Sequence, residues 1–256
     1  MAGFATYPSL NGMAVVISGG ASGIGEGLVR EFAAQGSKVG FVDIMAERGA
    51  ALEAELTAAG HTVSFAECDI TDVVKYQATI ADFAKMHGPC LALVNNAAHD
   101  LRHTIEEVTP QFFDERIAVN LKHSFFAAQA VAPGMRAAGK GSIINFGSIS
   151  WMIPVRDLSI YTAAKAAMHG LSRSLAKELG QDGIRCNTIV PGWIMTERQL
   201  TLWVKEAENK LIDDSQALKG RVYPADVARM ALFLAADDSQ MISAHDFVVD
   251  GGWVHG

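Results

Sequence analysis

A tyrosine and a lysine stand four residues apart in the stretch SIYTAAKAAMHGLSRSL, residues 159–175, as Tyr161 and Lys165. A free phenol ionises near pH ~10 and is a poor base at neutral pH. A neighbouring ammonium favours the phenolate. Lowering the phenol by two to three units requires about 3–4 kcal/mol of differential interaction, which a close, partly desolvated cation can supply. On a helix, i,i+4 spacing sets both side chains on one face. The pair can therefore make a proton-transfer tyrosine. The plain alternative is a core tyrosine beside a lysine whose stem lies along apolar surface. Ser148, thirteen residues before Tyr161 at the end of the apolar run SIINFGS, favours the chemical reading, as does a glycine loop far upstream.

Those residues need elements to position them. Short β-rich runs alternate with longer Ala- and Leu-rich segments. Strands are expected at 13–18, 38–43, 61–68, 90–96, 142–148, 184–190 and 246–250. Helices are expected at 23–35, from Ala46 to Gly60, and at 72–86, 110–138, 159–180 and 224–236, with a looser pattern after Pro191. The strands are near-continuous apolar runs, the mark of strands covered on both faces. Alternating strand and helix gives a parallel sheet with right-handed crossovers. The expectation is one doubly wound α/β domain of Rossmann type over 1–256, a seven-stranded parallel sheet with helices on both faces. In such folds ligands bind beyond the carboxyl ends of the strands.

The strand ends carry polar and glycine-rich stretches. After the first comes SGGASGIGEG, with Gly19, Gly23 and Gly25 bracketing the entry to a helix. Glycine lets backbone approach a ligand, and a helix N-terminus offers free N–H groups to phosphate. A tight turn explains the same glycines, but their place between strand and helix favours a dinucleotide. Asp43 ends the second strand, 18 residues past Gly25. An acid about 20 residues on hydrogen-bonds the adenosine ribose of NAD. It would also repel the 2′-phosphate of NADP, since unit charges ~4 Å apart at an effective dielectric near 20 interact by about 4 kcal/mol. NAD is therefore expected over NADP, the alternative for Asp43 being a helix cap. Asp69 follows the third strand, either to meet the adenine edge or to cap the next helix. Asn95 and Asn96 end the fourth, where buried amides need partners, and small Ala97 and Ala98 follow.

Composition narrows the field. The chain has 256 residues, half hydrophobic and 19% charged, with a formal net charge of −7. That supports a sizeable core and argues against nucleic acid as the main partner. Cys68, Cys90 and Cys186 form no CxxC, as expected of reduced thiols in a cytoplasmic protein. MAGFATYPSLNG has no basic segment followed by an apolar run, so no signal peptide is expected. The longest apolar run, MALFLAA at 230–236, falls far short of a membrane span. His99 and His103 share metal-ligand spacing, but no third cluster joins them and no metal is expected. KEAENKLIDD (205–214) reads as a solvated helix.

Taken in order, SGGASGIG, Asp43, Asp69, NNAA, Asn120 in IAVNL, Ser148, YTAAK, PGWIMT and VVDGGW resemble the short-chain dehydrogenase/reductase family over essentially the whole chain. The resemblance implies that Tyr161 is the acid/base, that Ser148 hydrogen-bonds the reacting oxygen, and that Lys165 lowers the tyrosine and holds the nicotinamide ribose. It implies that Asn120 positions a water in a proton relay. It assigns cofactor contacts to Ser18, Gly19, Ser22, Gly23, Ile24 and Gly25 in the first loop. Asp43 and Ile44, Asp69 and Ile70, and Asn96, Ala97 and Ala98 follow in the next three. Tyr161, Lys165, Pro191, Gly192, Trp193, Ile194 and Thr196 complete the set. Ser18 stands where the family usually has Thr, and Ala98 where Gly is usual.

YPSLNG, DERIAVNL, QAVAPGM, INFGSISW and LKGR are similar to bacterial sugar dehydrogenases of that family, D-xylose 1-dehydrogenases above all. The implied reaction oxidises the anomeric hydroxyl of an aldose, a pentose or hexose, to a lactone. Alternatives are a polyol or 3-oxoacyl reductase, or a dinucleotide-binding sensor without turnover. Expected sugar-facing residues are His99, Arg102, Ser148, Ser150, Trp151, Tyr161, Trp193, Arg198, Gln199 and Trp203, under a lid over roughly 193–219. The resemblance also implies a homotetramer.

Overall fold

A computed structural model describes residues 3–256; the first two residues of the expected 1–256 domain lie outside the described residues. Seven strands form one parallel sheet: β1 (Ala14–Ser18), β2 (Lys38–Asp43), β3 (Val63–Glu67), β4 (Ala92–Asn95), β5 (Gly141–Phe146), β6 (Ile184–Pro191) and β7 (Asp246–Val249). Their order is β3-β2-β1-β4-β5-β6-β7. The order reverses between β1 and β4, so the loops after these strands splay apart and open a crevice at that edge.

Both faces of the sheet are apolar because neighbouring residues of each strand point opposite ways. Val15 and Ile17 of β1 pack on one side with Val39, Phe41 and Val94, under α1 (Gly23–Ala34), α2 (Ala46–Ala58) and α9 (Pro224–Ala235). Val16 packs on the other with Val42, Leu93 and Ile143, under α3 (Val73–His87), α5 (His123–Ala138) and α6 (Ser159–Leu179). A buried polar chain crosses the middle of the sheet. Asn95 Nδ2 donates to Asn145 Oδ1 at 2.8 Å, and Asn145 Nδ2 donates to Ser172 Oγ at 2.9 Å. The Thr188 hydroxyl reaches the same Ser172 Oγ at 2.8 Å. It supplies partners for the buried amide N–H groups of Asn95 and Asn145, while Asn95 Oδ1 has none.

Two segments differ from expectation. The single helix expected over 110–138 is α4 (Pro110–Ile117), a π-helical turn over Ala118–Lys122, and α5. The loose segment after Pro191 holds an unexpected helix, α7 (Glu197–Leu202), before α8 (Glu206–Ser215), which lies where the solvated helix over 205–214 is expected. Among the described residues, no helix is long and apolar enough to cross a membrane.

Phe41 joins the core to the glycine loop. It is fully buried, its ring lies 5.1 Å from that of Phe65, and a Cβ on Gly20 would come 2.6 Å from its Cδ2. Phe41→Ala is expected to lower stability by about 3–5 kcal/mol, read as a lower urea midpoint.

Candidate active site

One cleft of ≈1620 Å³ runs along the carboxyl ends of β1, β2, β4, β5 and β6. It exceeds the ~300–1,000 Å³ usual for a small-molecule pocket, leaving room for an elongated cofactor and a second molecule.

At its deep end, Tyr161 and Lys165 lie in the first turns of α6. Lys165 is 2% exposed, and its Nζ donates to Phe146 O, the last residue of β5, at 2.9 Å. Burial pulls its ammonium down to about 7. Nζ sits 5.7 Å from the Tyr161 ring centroid, over the ring face. The half-buried Tyr161 behaves differently from expectation. Burial pushes its phenol above the ordinary value, the Asp100 carboxylate adds to the rise, and only the Ser148 side chain favours the phenolate. Lys165 does not lower it here, because desolvation weakens the lysine's own charge near neutrality. Ser148 is held by its local turn: its Oγ accepts from Ser150 N at 3.1 Å.

Asn120, in the π-helical turn, is fully buried and does not line the cleft. Its Oδ1 accepts from His99 N at 2.8 Å, and its Nδ2 donates to His99 O and Arg116 O at 3.2 and 2.9 Å. Its side chain thus fixes the loop after β4 rather than standing free to hold a water, the role the resemblance implied.

The other end suits a dinucleotide. Gly19 has a positive φ of 69°, and a Cβ on Gly25 would fall 1.6 Å from Gly19 O, so the loop closes only with glycine there. Ser22 caps α1 without a side-chain bond, leaving the N–H groups of the first turn for an outside acceptor. Gly19, Ser22, Gly23, Ile24 and Gly25 line the cleft; Ser18 does not. Ser18 is fully buried, and its Oγ accepts from Ala97 N at 3.1 Å, so it braces the next loop instead of touching a ligand. Asn96 lines the cleft and also donates to Ser18 O and Gly19 O, both at 3.0 Å. Asp43 Oδ2 accepts from Ala21 N and Oδ1 from Met45 N, both at 3.0 Å. Each oxygen keeps a free acceptor position for a ribose hydroxyl. Ile44, Asp69, Ile70, Ala97, Ala98, Pro191, Gly192, Trp193, Ile194 and Thr196 line the cleft as well. These groups fit a nicotinamide dinucleotide: N–H donors for phosphate, a carboxylate for ribose, and a proton-transfer residue at the far end.

The substrate end lies under α7. His99, Arg102, Ser150, Trp193, Arg198, Gln199 and Trp203 line it. Trp151 does not: the short 3₁₀ turn over Ile149–Trp151 sends its ring against His169, centroids 4.6 Å apart. Arg198 and Gln199 are already engaged. Arg198 Nη2 donates to Asp100 Oδ1 at 3.0 Å, Gln199 Nε2 to Asp100 Oδ2 at 3.3 Å, and Trp193 Nε1 to Gln199 Oε1 at 3.0 Å. Arg102 stacks over Trp203 at 4.5 Å. On the cofactor side, Glu197 of α7 accepts from Arg48 Nη1 at 2.9 Å.

A family model described as enoyl-(acyl carrier protein) reductase matches residues 19–254. A D-xylose 1-dehydrogenase of Caulobacter vibrioides is 46% identical over 97% of this chain and 98% of its own. A protein of Rhizobium meliloti named as a probable galactose dehydrogenase is 42% identical over 96% of each. A solved 3-oxoacyl-[acyl-carrier protein] reductase of Brucella melitensis superposes with a TM-score of 0.90 at 28% identity, over 98% of this chain and 94% of its own. The chain is a short-chain dehydrogenase/reductase. It is an oxidoreductase acting on CH–OH groups.

In this short-chain dehydrogenase/reductase the sequence motifs miss several cleft residues: Arg48, Asp100, Arg116 and Trp253. Asp100 stands next to His99 and Arg116 lies within the quoted DERIAVNL, but only the fold turns them inward. Trp253 lies in the quoted VVDGGW, and its ring comes 6.2 Å from that of Trp193. His103 is a structural histidine, with Nδ1 and Nε2 each 3.1 Å from Leu101 O and Ser159 Oγ.

Burial of Lys165 has a measurable consequence. Between pH ~7 and ~10.5 the unfolded chain keeps a proton that the folded lysine has lost, so this group makes stability rise with pH across that window. Below it the full penalty of burying the charge applies. Lys165→Met in the ligand-free enzyme is expected to be more stable than wild type at pH 7. The gap should close towards pH 10, measured by denaturant midpoints at both pH values.

Proposed function

We propose that this chain oxidises the anomeric hydroxyl of an aldose to the lactone, with NAD as the preferred hydride acceptor. The observation that carries this reading is the Tyr161 phenol at the wall of a dinucleotide-sized cleft, with the Ser148 side chain beside it favouring its ionised form. The two sugar dehydrogenases similar over nearly the whole chain support an aldose. When bound, the nicotinamide ring supplies the hydride acceptor. Tyr161 takes the proton of the sugar hydroxyl, Ser148 hydrogen-bonds the same oxygen, and Lys165 lies behind the phenol and offers N–H to a ribose. The lid helices α7 and α8 exclude water.

NAD preference is supported by Asp43 at the ribose position and by the state of Arg48. That guanidinium lines the cleft, but it is paired with Glu197 at 2.9 Å and Glu26 at 3.7 Å rather than free for a 2′-phosphate. A homotetramer is part of the reading; exposed Phe113 and Phe125, on α4 and α5, suit a subunit contact. A cytoplasmic setting suits three buried free thiols. A 3-oxoacyl or polyol reductase is the rival activity, favoured by the Brucella melitensis structure. A sensor without turnover would not need the Ser148 and Tyr161 pair.

The decisive assay is a panel of aldoses, polyols and a 3-oxoacyl thioester with NAD(H) and NADP(H), followed by nicotinamide absorbance. Aldose turnover with NAD is expected. Because burial and Asp100 hold the Tyr161 phenol protonated at neutral pH, kcat/KM for oxidation should rise from pH 7 into the alkaline range. Tyr161→Phe should lower kcat about 10²–10⁴-fold with NAD binding nearly unchanged; retained turnover would remove Tyr161 as the base. Asp43→Ala should move the NADP/NAD ratio of kcat/KM towards NADP by about tenfold or more. An unmoved ratio would leave Asp43 as a bracing residue for Ala21 and Met45.

A further inference from the structure

Asp100 follows His99 in the loop after β4, lines the cleft, and keeps 26% of its side chain exposed. Each carboxylate oxygen takes one donor from α7, Arg198 on Oδ1 and Gln199 on Oδ2. An ionised carboxylate has about four acceptor positions, so roughly half remain for a molecule in the cleft. Asp43, Asp69, Glu115, Glu197 and Glu208 also line the cleft, yet among the described residues only the Asp100 charge bears on the Tyr161 phenol. Asp100 from the β4 loop raises that phenol and Ser148 from the β5 loop lowers it, while Lys165 stands over its ring without lowering it.

Four arginines, Arg102, Arg116, Arg156 and Arg198, line the same cleft, Arg116 lying 4.0 Å from Glu115. Asp100 is the carboxylate that pairs with Arg198 there. At its open acceptor positions a neutral hydroxyl finds an acceptor and an anion finds a like charge. Hydrogen bonds to an ionised acceptor are the stronger kind.

We propose that Asp100 is the specificity-determining residue of this cleft: it accepts hydrogen bonds from the hydroxyls of a neutral polyhydroxy substrate, turns away anionic ones, and is held in place by the lid helix α7. This rests on the aldose reading and deepens it.

The test is steady-state kinetics of wild type, Asp100→Asn, Asp100→Glu and Arg198→Met with a neutral aldose and the corresponding uronate, which keeps the anomeric hydroxyl. NAD binding, followed by quenching of protein fluorescence, shows that each variant is folded. Asp100→Asn is expected to raise KM for the aldose about ten- to hundred-fold, leave KM for NAD within about twofold, and shift the kcat/KM ratio towards the uronate. The acidic limb of its pH profile should move to lower pH, because a negative charge that holds the phenol protonated is gone. Asp100→Glu should recover most of the aldose KM. Arg198→Met breaks the lid contact and removes one cation but keeps the carboxylate, so the kcat/KM ratio should move away from the uronate, opposite to Asp100→Asn. An unchanged aldose KM in Asp100→Asn overturns the proposal. So does an Asp100→Asn variant whose substrate ratio does not move towards the uronate, which leaves Asp100 a lid contact only. If the wild type oxidises no aldose, the aldose reading fails and takes this one with it; if it does, these Asp100 results overturn this proposal alone.

Discussion

The active end of the cleft depends on one amine held away from water. Burying an ammonium is costly unless it is hydrogen-bonded, and desolvation then favours its neutral form. Lys165 meets both conditions: its Nζ donates to Phe146 O, and burial brings its pKa to about 7. Because the acceptor is the last residue of β5, the contact locks the start of α6 against the end of that strand. Tyr161 lies one turn before Lys165, and Ser148 two residues beyond Phe146. The phenol and the Ser148 hydroxyl that favours its ionised form are therefore brought together by the lysine's own requirement for a partner. An amine poised near neutrality also changes charge in response to small changes around it, a useful property beside a group that must gain and lose a proton.

The lid is fastened more lightly. Adjacent residues of α7 carry opposite charges to opposite sides of the cleft, Glu197 to Arg48 near the adenosine end and Arg198 to Asp100 near the phenol. Such exposed pairs are worth about 0–1 kcal/mol each. Beneath them, Thr196 rests on the glycine loop, where a Cβ on Gly23 would come 3.2 Å from its Cγ2. A helix of six residues held by weak contacts on both sides can lift without disturbing the core, while its closed position still couples the two halves of the cleft.

The strands were legible because sheets covered on both faces need continuous apolar runs, and all seven lie where those runs predict. Their ends then located the glycine loop, Asp43, Ser148 and the Tyr161 helix. Other features escape a reading of pattern. The apolar spacing of residues 110–138 passes through Ala118–Lys122 without a break, so the π-helical turn leaves no trace in it. The helix α7 escapes too, because it is only six residues long and buries none of them, whereas the polar α8 was legible from its charge pattern. Spacing places Lys165 beside Tyr161 but does not report desolvation, and desolvation decides which of the two is perturbed and in which direction. Trp151 looked like a sugar platform by type; a single 3₁₀ turn aims it at His169 instead.

The π-helical turn explains why loop residues can act with precision here. A widened turn frees backbone carbonyls from the regular ladder, such turns are frequent at functional sites, and the Asn120 amide uses one of them, Arg116 O, while clamping His99 through both its N–H and its carbonyl. Arg116 adds a bond from Nη1 to His99 Nδ1 at 2.9 Å, and burial with Arg198 and Arg116 keeps that imidazole below its ordinary pKa. His99 is thus a neutral residue pinned at three points to the helical layer. Asp100 is the next residue along. Its backbone departs from a fixed anchor, while its carboxylate is held by the lid. Substrate choice in this fold can therefore be set where a rigid element meets a movable one, with the proton-transfer residues on β5 and α6 left undisturbed.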